Sequence, residues 1–253
     1  MKLTYLLIDF LSVIVPFIFS FHPRLKFYKH WPALFPAMIL TGMFFIAWDR
    51  YFTQLKIWGF NAAYLTGVRL VNLPLEEVLF FFCIPYSCIF TYSCIKALIK
   101  KRISKLPGQI ISTILIGISI FMAIRFNAHF YTVYTFTVLA ILLFIAQYIL
   151  KVKWLSVFYI SYLLLLLPFV IVNGLLTGTG LDAPVVWYNP EHIINLRILT
   201  IPVEDIFYGM DLILLNIMIF SLLSARGCQT RKNNRRATTR STSSYNAITN
   251  INS

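Results

Sequence analysis

Long apolar runs separated by short polar stretches make up most of the chain. Seven such runs, rich in Leu, Ile, Val and Phe, lie at about 3–19, 33–47, 77–95, 109–124, 129–149, 155–173 and 204–223. A membrane-spanning helix needs about 20 predominantly apolar residues, within a range of roughly 17–25. The pattern predicts an all-α, polytopic membrane protein with about seven transmembrane helices. The first run could be a signal peptide, but bulky Phe21 and His22 follow it, so we interpret it as a retained span.

Composition and charge distribution agree with a membrane protein and argue against a nucleic-acid-binding protein. The chain is 59% hydrophobic and only 12% charged, about half the charged fraction of a soluble domain. A net charge of +13 would suit nucleic acid, but most Lys and Arg fall in loops 20–32, 96–108 and 151–153 and in the tail, all on one side of the predicted membrane. We therefore expect no nucleic-acid partner.

The same asymmetry predicts an orientation. Positively charged loops stay in the cytoplasm, which puts the C-terminus inside and the N-terminus outside a prokaryotic plasma membrane. The long loops 48–76 and 174–203 then lie on the outer side. The tail at 225–253 is basic and rich in Ser, Thr and Asn, so we expect it to be disordered and to touch anionic lipid.

Two segments 128 positions apart share one polar pattern. WGFNAAYLTGVRLVNLPLEEVLFFF (58–82) aligns without a gap on VWYNPEHIINLRILTIPVEDIFYGM (186–210). The alignment pairs Asn61 with Asn189, Arg69 with Arg197, Pro74 with Pro202, Glu76 with Glu204, and Glu77 with Asp205. A fourth span between two sets of three makes the copies parallel. We predict a first repeat at 1–96, a linker with the fourth span at 97–127, and a second repeat at 128–224.

Paired carboxylates stand at the start of the third and seventh spans. One interpretation is structural, since an acid just after a proline complements the dipole at a helix start. The duplication and the aromatic surroundings favour a functional pair. The accompanying aromatic residues are Trp58, Phe80, Tyr188 and Tyr208. Asp211 shares a helical face with Glu204 and lies inside the predicted span, so it is either a structural polar contact or part of the same site.

Several classes of chemistry lack their motifs. No glycine-rich nucleotide motif, His pair or Asp-rich run with metal-ligand spacing occurs, and the four Cys suit apolar packing. We expect no metal and no cofactor. Proton chemistry on an apolar substrate remains. A carboxylic acid removed from water keeps its proton more readily, and each well-placed aromatic ring stabilises a carbocation by roughly 0.5–2 kcal/mol. Either member of each pair could carry the proton.

These residues resemble the membrane-integral, flavin-free lycopene cyclase domain family over about residues 1–224. The resemblance rests on WDRYFTQLKIWGFNAAYLTGVRLVNLPLEEVLFFFCIPYSCIFTY (48–92), with its Pro-x-Glu-Glu motif, and on 187–208, where the motif ends in Glu-Asp. It implies a fused two-unit carotenoid cyclase, a lycopene β-cyclase that takes lycopene or a related carotenoid from the bilayer. It also implies Glu76 and Glu204 as the acid/base pair, with Glu77 and Asp205 tuning or sharing the proton.

The resemblance further implies that Asn61, Asn189, Arg69 and Arg197 orient the acids. From the pattern of the residues themselves, the candidates for binding or orienting the substrate are Asp211, Trp58, Phe80, Tyr188 and Tyr208. Two alternatives stay open: a cyclase of a longer or different carotenoid, and a small proton-coupled transporter. A retinal receptor is excluded because the seventh span has no lysine. The oligomeric state is left open.

Overall fold

The computed structural model describes residues 2–99 and 103–225. Within them it contains seven helices: α1 Thr4–Phe19, α2 Trp31–Gln54, α3 Leu75–Leu98, α4 Leu106–Arg125, α5 Phe130–Phe144, α6 Leu155–Leu176 and α7 Val203–Ala225. Six are long and apolar enough to cross a membrane, counting α5 together with the π-helical turn Ile145–Ile149 that continues it. Helix α1 is equally apolar but has only 16 residues. The predicted all-α membrane fold is confirmed. The basic tail predicted at 225–253 lies outside the described residues except for Ala225.

The second helix is longer than the hydrophobic pattern predicts. It continues to Gln54, so the outer loop predicted from residue 48 begins only after it. Asp49 interrupts the apolar run but is buried, and its Oδ1 accepts a hydrogen bond from the indole N–H of Trp58. Trp48 and Phe52 are also buried. Tertiary contacts therefore extend the helix past the point where the polar residues suggested an end.

The strands in the two long loops are all short, and they form three pairs. Two of these strand pairs are hairpins: β2 (Arg69–Leu70) with β3 (Leu73–Pro74), and β5 (Arg197–Ile198) with β6 (Ile201–Pro202). Each hairpin leads directly into a helix, α3 or α7. The proline at the end of each hairpin leaves the backbone extended up to the first helical turn, so the carboxylates that follow stand in that turn.

A third pair of strands joins the two repeats. The strand β1 (Trp58–Phe60) pairs antiparallel with β4 (Val186–Tyr188), and Gly59 lies opposite Trp187, its own counterpart in the 128-residue alignment. The flanking hydrogen bonds are reciprocal: Asn61 N donates to Val185 O, and Asn189 N to Ile57 O, each at 2.8 Å. Such an exchange is expected of parallel repeats related by a two-fold axis through this ribbon.

Glycine is required on this axis. A Cβ on residue 59 would lie 2.4 Å from Cζ2 of Trp187, closer than any unstrained contact. The missing side chain therefore lets the Trp187 ring cross the ribbon.

Packing divides the apolar residues between the interior and the lipid. Helix α1 packs on α3, α3 on α2 and α6, and α4 on α5 and α6. Large apolar side chains remain exposed along the outward faces, as on Leu163 and Leu167 of α6. In water such faces would be costly, but lipid solvates them. The exposed apolar surface agrees with an integral membrane protein.

Candidate active site

A cavity of about 490 Å³ lies between α1 and α3 of the first repeat and α6 and α7 of the second. This volume is within the range of small-molecule sites, about 300–1,000 Å³. Its walls are mostly apolar, and the β1–β4 ribbon closes one end through Trp58, Val186 and Tyr188. The two repeats therefore share one apolar cavity.

The opposite side of the cavity opens between two helices. Leu11 of α1 and Ile171 of α6 line the cavity, yet each is 59% exposed. Pro168 also lines the cavity and is exposed. Leu11 lies in the middle of α1, and Pro168 and Ile171 lie in the second half of α6, both highly apolar helices, so the opening faces lipid rather than water.

Three carboxylates line the cavity: Glu77, Asp205 and Asp49. Tyr5 donates to Oε2 of Glu77 at 2.6 Å. Tyr131 and Tyr188 donate to Oδ1 and Oδ2 of Asp205 at 2.7 and 2.9 Å. Each member of the Glu77–Asp205 pair comes from a different repeat, and neighbouring tyrosines orient both.

Tyr188 is itself held from the loop side. The guanidinium of Arg197 lies 5.9 Å from the centre of its ring, and Arg197 Nη1 donates to Thr200 O at 2.6 Å. Burial, and secondarily the charge of Asp205, raises the pKa of Tyr188 well above its ordinary value. Its hydroxyl therefore stays protonated and remains a donor to Asp205.

The first acid of each pair has a different environment. Glu76 and Glu204 are fully buried but do not line the cavity. Oε1 of Glu76 accepts the Thr66 backbone N–H at 2.6 Å, and Oε1 of Glu204 accepts that of Ile194 at 2.7 Å. Thr66 and Ile194 are again 128 positions apart. Each first acid thus ties the preceding loop to the start of its helix.

The predicted aromatic residues all belong to the cavity, whereas the predicted Asn and Arg residues and Asp211 do not. Trp58, Phe80, Tyr188 and Tyr208 line it. Asn61 and Asn189 instead shape the loops, since their Oδ1 atoms accept the backbone N–H two residues on, at 3.0 and 3.1 Å. Arg69 and Arg197 are exposed on the hairpins. Asp211 is fully buried beside the cavity, and neither of its oxygens has a hydrogen-bond partner among the described residues.

Sequence reasoning did not include Asp49, Tyr5 or Tyr131 in the site. Asp49 carried a signal, because it is an acid at the end of an apolar run that leads into the first loop. The tyrosines carried none at the 128-residue spacing of the motifs. The residue 128 positions before Tyr131 is Leu3, and the residue 128 after Tyr5 is Val133. They meet the acids only through helix packing.

This geometry defines an integral membrane protein with a mostly apolar cavity that is lined at one end by carboxyl and phenol groups. The model of the lycopene cyclase family matches residues 2–95 and 128–223, well over half of the chain. The chain belongs to the lycopene cyclase family, as its motifs indicated, and the family supports a carotenoid cyclase acting in the membrane. No curated protein and no solved structure matched the chain.

Proposed function

We propose that the protein is a lycopene β-cyclase that works without a cofactor and begins by protonating a linear end of its substrate. One observation carries the proposal: a carboxyl group from each repeat, Glu77 and Asp205, reaches the same closed end of one apolar cavity. A hydrocarbon needs an apolar site, and an isomerisation that starts and ends with a proton needs two such groups.

Exposure and hydrogen bonding favour different roles for Glu77 and Asp205. Glu77 is the most exposed of the four paired acids, at 8% against 3% for Asp205 and 0% for Glu76 and Glu204. We assign proton donation to Glu77. Both oxygens of Asp205 accept hydrogen bonds from tyrosine hydroxyls. This arrangement suits an ionised carboxylate, because such a group can only accept hydrogen bonds. We assign cation stabilisation and proton removal to Asp205.

The reaction that follows is balanced in atoms and electrons. The Glu77 proton adds to the terminal double bond and leaves a tertiary carbocation. The electron pair of the next double bond closes a six-membered ring and moves the charge onto a ring carbon. Asp205 then removes a ring proton, and the electrons of that C–H bond form the double bond of the β-ring. One proton enters and one leaves, so the product is an isomer of the substrate.

The next turnover requires that a proton return to Glu77. Glu77 and Asp205 interact electrostatically, and Asp49 interacts with Glu77 from the same end of the cavity. We assign Asp49 to this return path. Tyr131 contacts both Tyr188 and Tyr208, with ring centres 6.0 Å apart in each pair. The three rings present aromatic surface near the developing cation.

In this proposal Glu76 and Glu204 position the reacting acids rather than react. They hold the loops that end in the two helices, and thereby fix the first helical turn from which Glu77 and Asp205 extend. The proposed units remain 1–96 and 128–224, joined by 97–127. The proposed orientation puts the N-terminus outside, the C-terminus in the cytoplasm, and the closed end of the cavity near the outer face of a prokaryotic plasma membrane.

Expression of the full chain in cells that accumulate lycopene tests the proposal. Pigments are extracted and separated by chromatography, and membrane insertion of the protein is checked in the same cells. We expect carotenoids with one or two β-rings. Unchanged lycopene in cells that contain folded, membrane-inserted protein would contradict the proposed activity, and rings of another isomer would contradict the β assignment.

A further inference from the structure

We infer that the protein has a single binding slot for a carotenoid. The two-fold relation between the repeats would create a second, equivalent slot, but aromatic side chains fill it. The enzyme then acts on one carotenoid end in each binding event. The identity of the ligand rests on the proposed function, whereas the number of slots rests on the packing of the two repeats.

The two-fold relation places a second slot opposite the first. The cavity is bounded by α1 and α3 of the first repeat and by α6 and α7 of the second. Exchanging the repeats gives an equivalent region between α5 and α7 of the second repeat and α2 and α3 of the first. We call this region the counterpart slot.

Hydrogen bonds at the helix ends give the correspondence of α2 and α6. Ile57 N donates to Phe52 O at 3.0 Å, and Val185 N donates to Leu176 O at 2.9 Å. Ile57 and Val185 are equivalent by the 128-residue alignment, so Phe52 corresponds to Leu176. Residues of α2 and α6 are therefore equivalent at a spacing of 124, while α3 and α7 keep the spacing of 128.

Residues that leave the cavity open have larger counterparts on the other side. Val172, Leu176 and Gly209 all line the cavity. At the equivalent positions the chain has Trp48 for Val172, Phe52 for Leu176 and Phe81 for Gly209, while Phe45 matches Phe169. Each of the three differences adds an aromatic ring on the side of the counterpart slot.

These rings fill the region that they line. We define Phe45, Trp48, Phe52 and Phe81 as the aromatic plug. Ring centres in the plug are 5.5 Å apart for Phe45 and Trp48, 5.7 Å for Trp48 and Phe52, and 6.1 Å for Phe45 and Phe81. All four side chains are at most 7% exposed. Tyr134 of α5 adds a further ring 5.2 Å from Phe52. Interiors packed this closely leave no space for a ligand.

A single slot determines how a long carotenoid binds. One end reaches Glu77 and Asp205, and the chain leaves through the opening at Leu11 and Ile171. The remainder lies in lipid, where the protein does not contact it. A substrate with two linear ends must leave and bind again by the other end. The enzyme should accept any carotenoid that has one linear end, whatever the far end carries.

The number of bound carotenoids tests the inference directly. The full chain with E77Q, which in our proposal binds but does not react, is placed in lipid nanodiscs and saturated with lycopene. Free pigment is removed, and bound pigment is measured by absorbance against protein. We expect one lycopene per chain. Two per chain would overturn the single slot.

A pair of variants at equivalent positions makes the test specific. In G209F the new ring enters the cavity, because a Cβ at this position already lies 3.3 Å from Phe169 and 3.4 Å from the Tyr162 hydroxyl. In the E77Q background, G209F should reduce bound lycopene at least tenfold. The control F81L, in the plug, should leave one per chain. Retention of half the pigment or more by folded G209F would contradict a single slot.

The outcomes separate this inference from the proposed activity. One lycopene per chain, with no cyclised product from the wild-type protein, leaves the single slot standing and refutes the cyclase. Two lycopenes per chain, with cyclised product from the wild-type protein, would overturn the single slot and support the cyclase. No bound lycopene in folded, lipid-embedded protein refutes both. Early product should carry one ring, and two-ringed product should follow after a lag; two-ringed product from the first turnover would also overturn the inference.

Discussion

Two neighbouring glutamates in the first turn of α3 provide the sharpest test of the proposed chemistry. Glu77 lines the cavity and accepts a hydrogen bond from the Tyr5 hydroxyl, whereas Glu76 does not line the cavity and accepts one from the backbone N–H of Thr66. Exchanging either carboxyl for an amide changes size very little. We therefore compare E77Q with E76Q, expecting the first to remove the reaction and the second to weaken the fold.

The structure sets the expected magnitudes. A positioned general acid contributes about 10²–10⁴-fold to rate, so E77Q should lower kcat by at least that range while lycopene still binds. In E76Q the amide oxygen can still accept from Thr66, while the new NH2 replaces Oε2, which has no hydrogen-bond partner among the described residues. The cost is about 1–3 kcal/mol, small beside a typical stability of about 5–15 kcal/mol. E76Q should stay folded and lose less than about tenfold in rate.

The assay uses purified protein in nanodiscs with lycopene, and initial rates come from chromatography of the pigments. Thermal unfolding and size exclusion report the fold of each variant. A matched comparison in the second repeat sets D205N against E204Q, with the same expected order. If folded E76Q were as inactive as E77Q, or if E77Q kept most of the wild-type rate, the assignment of proton donation to Glu77 would be refuted.

Further predictions concern the ribbon, the tyrosine support and the buried acid of α7. Y188F removes one of two donors to Asp205, a hydrogen bond to a charged group of about 1.5–3 kcal/mol, so kcat should fall about 10–100-fold; an unchanged kcat would contradict this role. Because the pKa of Tyr188 is raised in the fold, its contribution to stability is present below about pH 10 and is lost as pH rises further. Y188F should therefore lose less stability than wild type between about pH 9 and about pH 11 in thermal unfolding. G59A forces Trp187 to move and should destabilise by about 1–3 kcal/mol, with recovery in G59A/W187A; equal unfolding temperatures of G59A and wild type would argue against the close contact. D211N should keep its initial rate within a few-fold, because Asp211 does not line the cavity; a loss as large as that of D205N would place Asp211 in the reaction.

The hydrophobic pattern alone located the helices, because a helix that spans lipid must satisfy its backbone hydrogen bonds internally and must present an apolar surface. The clearest error of the pattern is the end that it predicts for α2. Asp49 and Arg50 end the apolar run, yet the helix continues to Gln54, since Trp58 from the following loop supplies a partner for Asp49. A partner that comes from another element is invisible to a local pattern.

The repeat located the acids but not their division of labour. Adjacent residues on a helix point about 100° apart, so one of Glu76 and Glu77 faces the cavity and the other the loop. Which one does so depends on where the other repeat packs. Tyr188 lies within the repeated segment, but the other two tyrosines that orient the acids, Tyr5 and Tyr131, are 72 and 74 residues away from Glu77 and Asp205 along the chain. No spacing in the sequence links them to the acids, and only the packing of α1 and α5 brings them together.

The two repeats agree where residues build the scaffold and differ where they meet the substrate. Glu76 and Glu204 are the same residue, hold equivalent loop amides, and flank a ribbon whose hydrogen bonds are reciprocal. Glu77 and Asp205 differ in length and in the number of hydroxyls that they accept. Proton donation and proton removal require one carboxyl group that carries a proton and one that is ionised, and two groups in identical surroundings would not be held in these two states. A duplicated scaffold with a diverged interior satisfies both demands, because symmetry fixes where the acids stand while their unlike surroundings determine what each can do.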